Sequence, residues 1–549
     1  MKLETFFEKF DQFADAPDAV AKMRELVLEL AVKGALSERH TSDQHDAAWR
    51  EFVTKLDERS RDADTDSEPP FEIPTAWRWA CLDDLGTTRV RNDVEDSTRA
   101  SFVPMALIST TYGVAAQSEE RTWSEIKKGF THFADGDVVM AKITPCFENA
   151  KSAVMRNLVN GVGAGTTELH VFRRGTELIL PDFVLLYVKT RGFITRGEPR
   201  MTGSAGQKRV PREYFASSPF PLPPLAEQKR IVAKVDELMA LCDRLEAQQQ
   251  ERETRHAALA RASLARFADA PTPANLPFLF HPSYAIPPAD LRKSILTLAV
   301  QGKLVPQDPN DEPAEVLFAR IESIKEKLSK LRTIKRVAVE ANPSGDECES
   351  LPPGWLWTRL GNSFDVRDGT HDTPKYTTEG FPLITSKNIY SGSLLFDGAN
   401  LISEKDHRQI SERSRVDRGD ILFAMIGSIG NPVIVDTDRE FSIKNVALFK
   451  YYTAADSEPR FLLLYLKLVA EEMKAKAAGG VQSFVSLGFL RNYLVPLPPL
   501  AEQRRIVAKV EQLMALVDAL ETQLAASRAT SANLLSALVV ELTGTPSIK

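Results

Sequence analysis

The sequence predicts an α+β protein made of two copies of one unit, in which two globular domains alternate with two long helices. Residues 221–248, PLPPLAEQKRIVAKVDELMALCDRLEAQ, recur as residues 496–523, PLPPLAEQRRIVAKVEQLMALVDALETQ, with 22 of 28 positions unchanged. A Pro-x-x-Trp-x-Trp-x-x-Leu pattern also occurs twice, beginning at Pro74 and at Pro352. Repetition of this kind decides the architecture, so it is considered before any single motif.

Composition indicates an ordinary multidomain globular protein. A chain of 549 residues with 43% hydrophobic content is too long for one core, and we expect domains of roughly 100–200 residues. The four cysteines are widely spaced and form no Cys-x-x-Cys pair, which fits a reducing cytoplasm. The N-terminus lacks the regions of a signal peptide, and no apolar run approaches the ~20 residues that span a bilayer. We therefore expect a cytoplasmic protein without membrane association.

A second repeat indicates that a short helical arm precedes each domain. Residues 24–36 match residues 292–304 at seven of thirteen positions, with Gly34 and Gly302 placed as helix stops. The predicted segments are a helical arm at 1–68, a first domain at 69–220, a first long helix at 221–268, a linker with a second arm at 269–350, a second domain at 351–495 and a second long helix at 496–549.

The predicted domains combine short strands with one helix each. Helical patterns lie at 181–190 and 460–477, and Gly-Asp pairs at 136–137 and 419–420 introduce equivalent strands. Most residues around these shared features differ between the copies, which suggests one task performed on two different targets. The β-rich runs lie at 137–143, 168–172, 420–426 and 445–449.

An apolar seam with heptad spacing runs along each long helix. So narrow a stripe needs a partner helix, and we predict that the two repeats pair with each other as an antiparallel coiled coil about a pseudo-twofold axis. The alternative is that each helix packs separately on its own domain. The seam residues are Ile231, Val235, Leu238, Cys242 and Leu245 in the first helix, and Ile506, Val510, Leu513, Val517, Leu520 and Leu524 in the second.

The sequence contains no recognisable catalytic or metal centre. It has neither a GxxxxGK[ST] phosphate loop nor an HExxH pair, and His40 and His45 lie in a polar linker, where we interpret them as solvated. No serine, cysteine or carboxylate stands out as an activated nucleophile. We expect no catalytic residue, no metal ligand and no cofactor bound by this chain.

The duplicated PLPPLAEQ-[KR]RIVAKV-[DE] helix, with a Gly-Asp strand and a glutamine-containing glycine loop upstream, resembles the specificity subunit of type I restriction–modification systems. The resemblance covers the chain from Arg24 onward. It implies a non-catalytic subunit whose two target-recognition domains each read one half of a bipartite site in double-stranded DNA, and whose helices set the spacer between the halves. It also implies two S-adenosylmethionine-dependent methyltransferase subunits and restriction subunits driven by ATP and Mg²⁺ as partners.

Two properties bear on this resemblance. A helix of about 30–40 residues is roughly 45–60 Å long, which is comparable with one to two turns of B-DNA. The net charge of −6 argues mildly against a nucleic-acid partner, but seven Lys and Arg residues between Lys189 and Arg212 are opposed only by Glu198. That segment is either a local anion-binding face or a solvated basic loop. The helical arms are absent from shorter members of the family, and we expect them to contact a partner subunit.

Candidate DNA contacts in the first domain centre on a glycine-flanked loop. Gln207 and Gln482 each lie fourteen residues before the first proline of their helix repeat. A glutamine amide can bond adenine N6 and N7 as a pair, and basic neighbours can clamp phosphate or read guanine. The alternative is that each glutamine caps its own loop. The first-domain candidates are Lys142, Thr166, Thr167, Gly203, Ser204, Gln207, Lys208 and Arg209.

Candidates in the second domain come mainly from the resemblance, because residues 368–375 and 385–388 resemble loops on the DNA-facing side of the family. We interpret the tryptophan pairs of both copies as core anchors. Two other functions are considered: a self-contained methyltransferase, against which the missing cofactor and catalytic loops argue, and a coiled-coil scaffold without a DNA role. The second-domain candidates are His371, Lys375, Lys387, Asn388, Gln482 and Ser483.

Overall fold

The chain is divided into two compact units. The computed structural model describes residues 18–61, 69–343, 350–477 and 484–543, apart from residues 39, 41, 44–45, 205, 271, 273, 282–283, 335–336 and 391, and also describes Ala14 and Ala16. The first unit comprises Met1–Glu253 with Ala526–Lys549, and the second comprises Thr254–Ala525. Each unit therefore combines an arm, a domain and parts of both long helices.

In the first unit, two arm helices precede a domain of two sheets. The sheets have the strand orders β4-β3-β8-β5 and β2-β9-β6-β7, and β1 pairs with β10. Strands β3 and β8 are parallel and the other paired strands are antiparallel. The helices are α1 (Ala19–Val32), α2 (Ala47–Arg61), α3 (Leu82–Leu85), α4 (Trp123–Ile126), α5 (Pro181–Lys189), α6 (Arg191–Gly197), α7 (Arg212–Ser217) and the long α8 (Leu225–Asp269). The strands are β1 (Arg78–Ala80), β2 (Gly86–Thr87), β3 (Arg99–Val103), β4 (Glu119–Thr122), β5 (Thr131–Ala134), β6 (Val138–Ala141), β7 (Ser152–Val154), β8 (Val162–Gly165), β9 (Leu169–Arg174) and β10 (Phe220–Leu222).

The second unit repeats this plan. Its sheets have the orders β13-β17-β14-β20 and β12-β21-β18-β19, β11 pairs with β22, and β15 with β16. The helices are α9 (Pro288–Val300), α10 (Ala314–Lys330), α11 (Leu360–Ser363), α12 (Glu404–Ser414), α13 (Pro459–Ala477), α14 (Leu487–Asn492) and the long α15 (Leu500–Thr543). The strands are β11 (Leu356–Arg359), β12 (Asp365–Asp368), β13 (Tyr376–Thr377), β14 (Phe381–Ile384), β15 (Ile389–Tyr390), β16 (Ser393–Leu394), β17 (Asn400–Ile402), β18 (Ile421–Ala424), β19 (Gly430–Ile434), β20 (Ser442–Ile443), β21 (Val446–Lys450) and β22 (Leu494–Leu497).

The fold class and the internal repeat predicted from the sequence are confirmed. The four predicted strand runs correspond to β6, β9, β18 and β21, and the two predicted domain helices to α5 and α13. Helix α8 begins in the first unit and ends in the second, whereas α15 does the reverse, so the two helices run in opposite directions. Among the helices that the structure describes, none is both long and apolar enough to cross a bilayer.

The repeated sequence motifs meet at one buried contact in each unit, which we call the Trp junction. The indole Nε1 of Trp77 donates to Glu227 Oε2 at 3.0 Å, and that of Trp355 donates to Glu502 Oε2 at 2.9 Å. Both glutamates belong to the PLPPLAEQ motif, and both are buried along with their tryptophans. Burial raises the pKa of the Glu502 carboxyl. The two motifs are therefore repeated together because each supplies half of a buried hydrogen bond.

In each unit, a glycine allows the arm to pack closely against this junction. Gly34 has a φ of 69°, and a Cβ at that position would lie 2.7 Å from Pro74 Cγ and 2.9 Å from Trp77 Cζ2. Gly302 repeats the arrangement with a φ of 66°, against Pro352 and Trp355. These glycines end their helices, as the sequence predicts, and they also allow the arm to touch the indole ring, which the sequence alone does not show.

The apolar seam of α8 has two environments within the first unit. Ile231 and Val235 are buried in the core of the domain, in the same cluster as Trp77. Further along the helix, Cys242 and Leu245 lie in a cluster with α1 and with the end of α15. The start of this seam thus packs on its own domain, and its continuation packs beside the other long helix.

The seam of α15 is covered in the same way within the second unit. One cluster contains its seam residues together with α9, Trp355 and residues from the end of α8. In each unit, an arm helix therefore packs beside the two long helices whose pairing the sequence predicts. In the seam of α15, Leu520 and Leu524 are half-buried, as Leu238 is in the seam of α8. The buried seam residues of α15 are Ile506, Val510, Leu513 and Val517.

Paired ionic contacts fix each arm to its long helix. Arg24 contacts Asp243 and Glu246 at 2.7 Å, and at the equivalent positions Arg292 contacts Asp518 and Glu521 at 2.6 Å. Exposed ion pairs of this kind contribute little individually, so the arm depends mainly on its apolar face. The arms therefore contact the long helices of their own units, and contact with a partner subunit stays a prediction.

The Trp junction predicts a selective loss of stability. Replacing Trp77 by phenylalanine keeps an aromatic ring in the core but removes the N–H that donates to the buried carboxylate of Glu227. We expect the free energy of unfolding to fall by about 1.5–3 kcal/mol, because a hydrogen bond to a buried charged group is lost. The measurement is urea unfolding followed by circular dichroism.

The matched control for this prediction is Trp79→Phe. Trp79 is half-buried, and its ring contacts Phe71 at a centroid distance of 5.0 Å, a contact that a phenylalanine can retain. We expect this variant to lose clearly less stability than Trp77→Phe. Equal losses in the two variants would contradict the role given to the indole N–H.

Candidate nucleic-acid interface

One edge of the first domain is assembled from three segments that are far apart in sequence. Residues 142–144 follow β6, residues 166–168 connect β8 to β9, and residues 201–204 and 206–210 lie before α7. Backbone hydrogen bonds join them: Lys142 N donates to Glu168 O at 3.0 Å, and Val210 N donates to Lys142 O at 2.8 Å. We call this surface, with its counterpart in the second domain, the variable edge.

The second domain has the same backbone frame at its variable edge. Met425 N donates to Asn445 O at 3.3 Å, and Val485 N donates to Met425 O at 3.0 Å. Ile426 forms a β-bridge with Phe484, as Ile143 does with Arg209 in the first domain. Three positions of this frame carry different side chains: Lys142, Glu168 and Arg209 in the first domain correspond to Met425, Asn445 and Phe484 in the second, whereas the isoleucine and the valine of the frame are the same in both.

Residues 201–204 and 206–210 belong to a short hairpin with an exposed tip. Its ends are joined by mutual backbone hydrogen bonds between Thr202 and Arg209 of 3.0 and 2.8 Å, and Gln207 N donates to Ser204 O at 3.0 Å. The side chains of Gln207 and Lys208 are exposed at the tip. The structure thus brings together all the first-domain candidates, namely Lys142, Thr166, Thr167, Gly203, Ser204, Gln207, Lys208 and Arg209.

Arg209 is held by a carboxylate at this edge. Its Nε and Nη2 each donate to one oxygen of Glu168 at 2.8 Å, and Nη1 donates to Gln207 O at 3.0 Å. The bonds from Arg209 lower the pKa of the Glu168 carboxyl. The guanidinium therefore has a fixed orientation beside the hairpin tip, and its charge is locally balanced by an acid that the sequence analysis did not include.

In the second domain a polar chain of side chains reaches the variable edge. Arg413 contacts the buried carboxylate of Asp368, whose other oxygen lies 2.8 Å from His371 Nε2. The other ring nitrogen of His371 lies 3.1 Å from Asn445 Oδ1. Neither Arg413 nor Asn445 was a sequence candidate. Glu168 and Asn445 could have been found by aligning the two copies, since each is the residue just before an equivalent strand.

The remaining second-domain candidates have different environments. Lys375 and Lys387 are exposed, and the turn at residues 385–388 adjoins the edge because Lys444 N donates to Ile384 O at 2.9 Å. Asn388, however, is buried, and its Oδ1 accepts bonds of 3.0 Å from both Thr385 N and Thr385 Oγ1. Its side chain closes a turn, and a contact between Asn388 and DNA stays a prediction. Gln482 and Ser483 lie outside the described residues.

The basic segment from Lys189 to Arg212 does not form one continuous cationic face. Lys189 is buried, and its Nζ donates to the carbonyl oxygens of Ser109, Thr110 and Ala150 at 3.3, 3.0 and 3.0 Å. Burial lowers the pKa of Lys189 to about 7. Three of the arginines face acids: Arg191 lies 3.5 Å from Glu198, Arg212 lies 3.7 Å from Asp83, and Arg209 lies 2.8 Å from Glu168. Only part of this segment therefore presents charge at the variable edge.

Within the described parts of the chain, no group of three or more His, Cys, Asp or Glu side chains is arranged to hold a metal ion.

Comparison with known proteins identifies the class of this fold. The model of the type I restriction modification DNA specificity domain matches residues 110–253 and 355–527, more than half of the chain. The chain therefore belongs to the family of type I restriction–modification specificity subunits. It is 35% identical over 560 residues to the EcoAI specificity subunit of Escherichia coli and 34% identical over 558 residues to the EcoEI specificity subunit, covering 94% of this chain and 93% of each relative. The crystal structure of the HsdS subunit from Thermoanaerobacter tengcongensis aligns with a TM-score of 0.49 at 21% identity, over 87% of this chain and 98% of that one.

The buried lysine predicts a pH dependence of stability. The folded state releases the Lys189 proton near pH 7, whereas an unfolded lysine keeps it until about pH 10.4. Between these values the unfolded state binds more protons, so stability rises with pH, by up to about 1.4 kcal/mol per pH unit. Lys189→Met lacks this contribution, so the stability of the wild type relative to the variant should increase from pH 7 to pH 9 in urea unfolding.

The loss of a donor to three carbonyl oxygens shifts the stability of Lys189→Met by a constant amount, so only the difference in slope is diagnostic. Parallel stability curves for the two proteins across this pH range would show that the lysine keeps its proton in the folded state.

Proposed function

We propose that this chain is the non-catalytic DNA-reading subunit of a type I complex, and that each domain reads one half of a bipartite site. The observation that carries the proposal is the variable edge, because both domains hold the same backbone frame there while three of the side chains on it differ. Two domains that share a backbone frame but carry different contact side chains suit a DNA site whose two halves differ in sequence. Side chains that contact base edges specify sequence, whereas those that contact phosphate only position the protein.

The long helices support the role of setting the spacer. Helix α8 has 45 residues and α15 has 44. At about 1.5 Å per residue each is roughly 65 Å long, close to two turns of B-DNA at about 34 Å each. A helix pair of this length suits two half-sites separated by an unspecified spacer.

The repeated helix faces support docking of two copies of one methyltransferase subunit. Leu241 and Leu516 occupy equivalent positions in the repeat and are 42% and 49% exposed. Ala233 and Ala508, on the same two repeats, are exposed and identical as well. Two identical partners can find the same apolar contact at both sites. In this proposal S-adenosylmethionine, ATP and Mg²⁺ are bound by the methyltransferase and restriction subunits, not by this chain.

Methylation sequencing of the host genome, with and without this gene, tests the proposed function. We expect a split adenine motif that disappears on deletion, provided that the partner methyltransferase is expressed. A self-contained methyltransferase would instead bind S-adenosylmethionine as the isolated chain, and a scaffold without a DNA role would leave the methylated motifs unchanged. Either of these two results would contradict the proposal.

Lengthening both helices tests the spacer within the same assay. One heptad inserted after Gln248 and one after Gln523 adds about 10 Å to each helix, which corresponds to at most about three base pairs. We expect the methylated motif to gain spacer length and to keep both half-site sequences. Changed half-sites, or an unchanged spacer in an active complex, would contradict this role.

The exposed leucines test the docking of the methyltransferase. Leu241→Glu and Leu516→Glu each place a charge on one proposed contact, and burying a leucine contributes about 1.5–3 kcal/mol. We expect each single variant to retain one methyltransferase subunit and the double variant to retain none, as measured by native mass spectrometry. The control is Leu259→Glu, since Leu259 is 48% exposed on α8 but lies outside the 28-residue repeat. Loss of both subunits from the control would argue against a specific contact.

A further inference from the structure

We infer that Asn445 determines sequence specificity in the second domain and that His371 positions it. This inference rests on the proposed function, since it names a residue that would read one base of the second half-site. It differs from the expectation drawn from the sequence, in which His371 itself contacts DNA. The argument depends on the polar chain that ends at Asn445, on the backbone of that residue and on its counterpart in the first domain.

The polar chain connects the Asn445 amide, through the exposed ring of His371, to a buried carboxylate. Asp368 is 6% exposed, and its two carboxylate oxygens are bound by Arg413 and by His371. The His371 ring thus lies between a fixed carboxylate and Asn445 Oδ1, at 2.8 and 3.1 Å. Because the ring contacts both neighbours, it restrains the orientation of the amide. An asparagine amide that is fixed before binding loses little freedom when it contacts a base.

The backbone of Asn445 is fixed as well. Its φ is 55°, a left-handed conformation that asparagine tolerates better than most residues. Asn445 N donates to Thr370 O at 3.2 Å, and Thr370 N donates to Ile443 O at 3.0 Å, so the turn is bonded to the segment that carries His371. With Oδ1 facing the ring, the amide NH₂ group is directed away from it and is the group that can donate to a base edge, as an asparagine donates to adenine N7.

The first domain has an equivalent arrangement with different chemistry. Glu168 occupies the position of Asn445 just before β9, and its carboxylate is held by Arg209 as the Asn445 amide is held by His371. A glutamate accepts from cytosine N4, whereas an asparagine suits adenine. One position on a shared frame therefore carries a different base-reading group in each domain, and in both domains a second side chain fixes it.

Substitution of Asn445 in the full complex with its methyltransferase tests the inference. Asn445→Gly tolerates the left-handed backbone and removes the amide, and Asn445→Asp keeps the shape and removes the donor. We expect both variants to lose discrimination at one base of the second half-site, roughly 5- to 150-fold in methylation of genomic sites that carry another base there. The first half-site and the spacer should be unchanged, which provides an internal control.

Two further variants separate positioning from folding. His371→Ala should relax the same base position as Asn445→Gly, but less completely, an effect that a purely structural role would not produce. The matched control is Asn431→Gly, because Asn431 also has a left-handed φ, of 47°, and its amide donates to Ser428 O in its own turn, at 3.4 Å. We expect the control to retain the wild-type motif.

The outcomes distinguish this inference from the proposed function. If the wild type directs no split motif, the proposed function is wrong. If the wild type directs a split motif and both Asn445 variants keep its base preferences, or lose methylation equally at all sites, the inference is overturned. Should Asn445→Gly fail to fold, Asn445→Asp decides the question by itself.

Discussion

The buried hydrogen bond between tryptophan and glutamate is the constraint on which each unit depends. It joins three segments that are distant in sequence: the arm, through the glycine that touches the indole, the residue just before the first strand of the domain, and the first turn of the long helix. A buried carboxylate oxygen without a donor is costly, so the tryptophan and the glutamate have to be retained together. This explains why the chain carries PLPPLAEQ and the tryptophan pattern twice, although the domains between them have diverged.

Much of the frame could be predicted from the sequence, because repetition and periodicity report on packing. The strand runs, α5 and α13, the helix stops at Gly34 and Gly302 and the buried Trp77 and Trp355 all follow from local patterns. The packing of each seam against an arm helix as well as the other long helix could not be predicted from the sequence. Heptad spacing shows that an apolar stripe must be buried, but it does not show which element covers the stripe. Here the domain core covers Ile231 and the arm helix shares the remainder of the seam.

The candidate site was predictable only in part, for a different physical reason. The hairpin around Gln207 carries a local signal in its glycines and basic residues, and the structure groups it with Lys142 and Thr166. Glu168 and Asn445 carry no such signal, because their significance comes from partners 41 and 74 residues away. Asn388 shows the converse, since a polar residue in a promising loop is used to close a turn. Charge counted along the sequence misleads similarly at Lys189, whose ammonium group is directed into the domain.

The exchange of helix ends between the units has a consequence for biosynthesis. The cluster that holds α1 against α8 includes Leu535 and Leu538, which are among the last described residues of the chain. During translation, the first domain leaves the ribosome long before these leucines are made. The apolar face of its arm therefore stays incomplete until these leucines have been synthesised, so the first unit can be completed only after the second domain has been made.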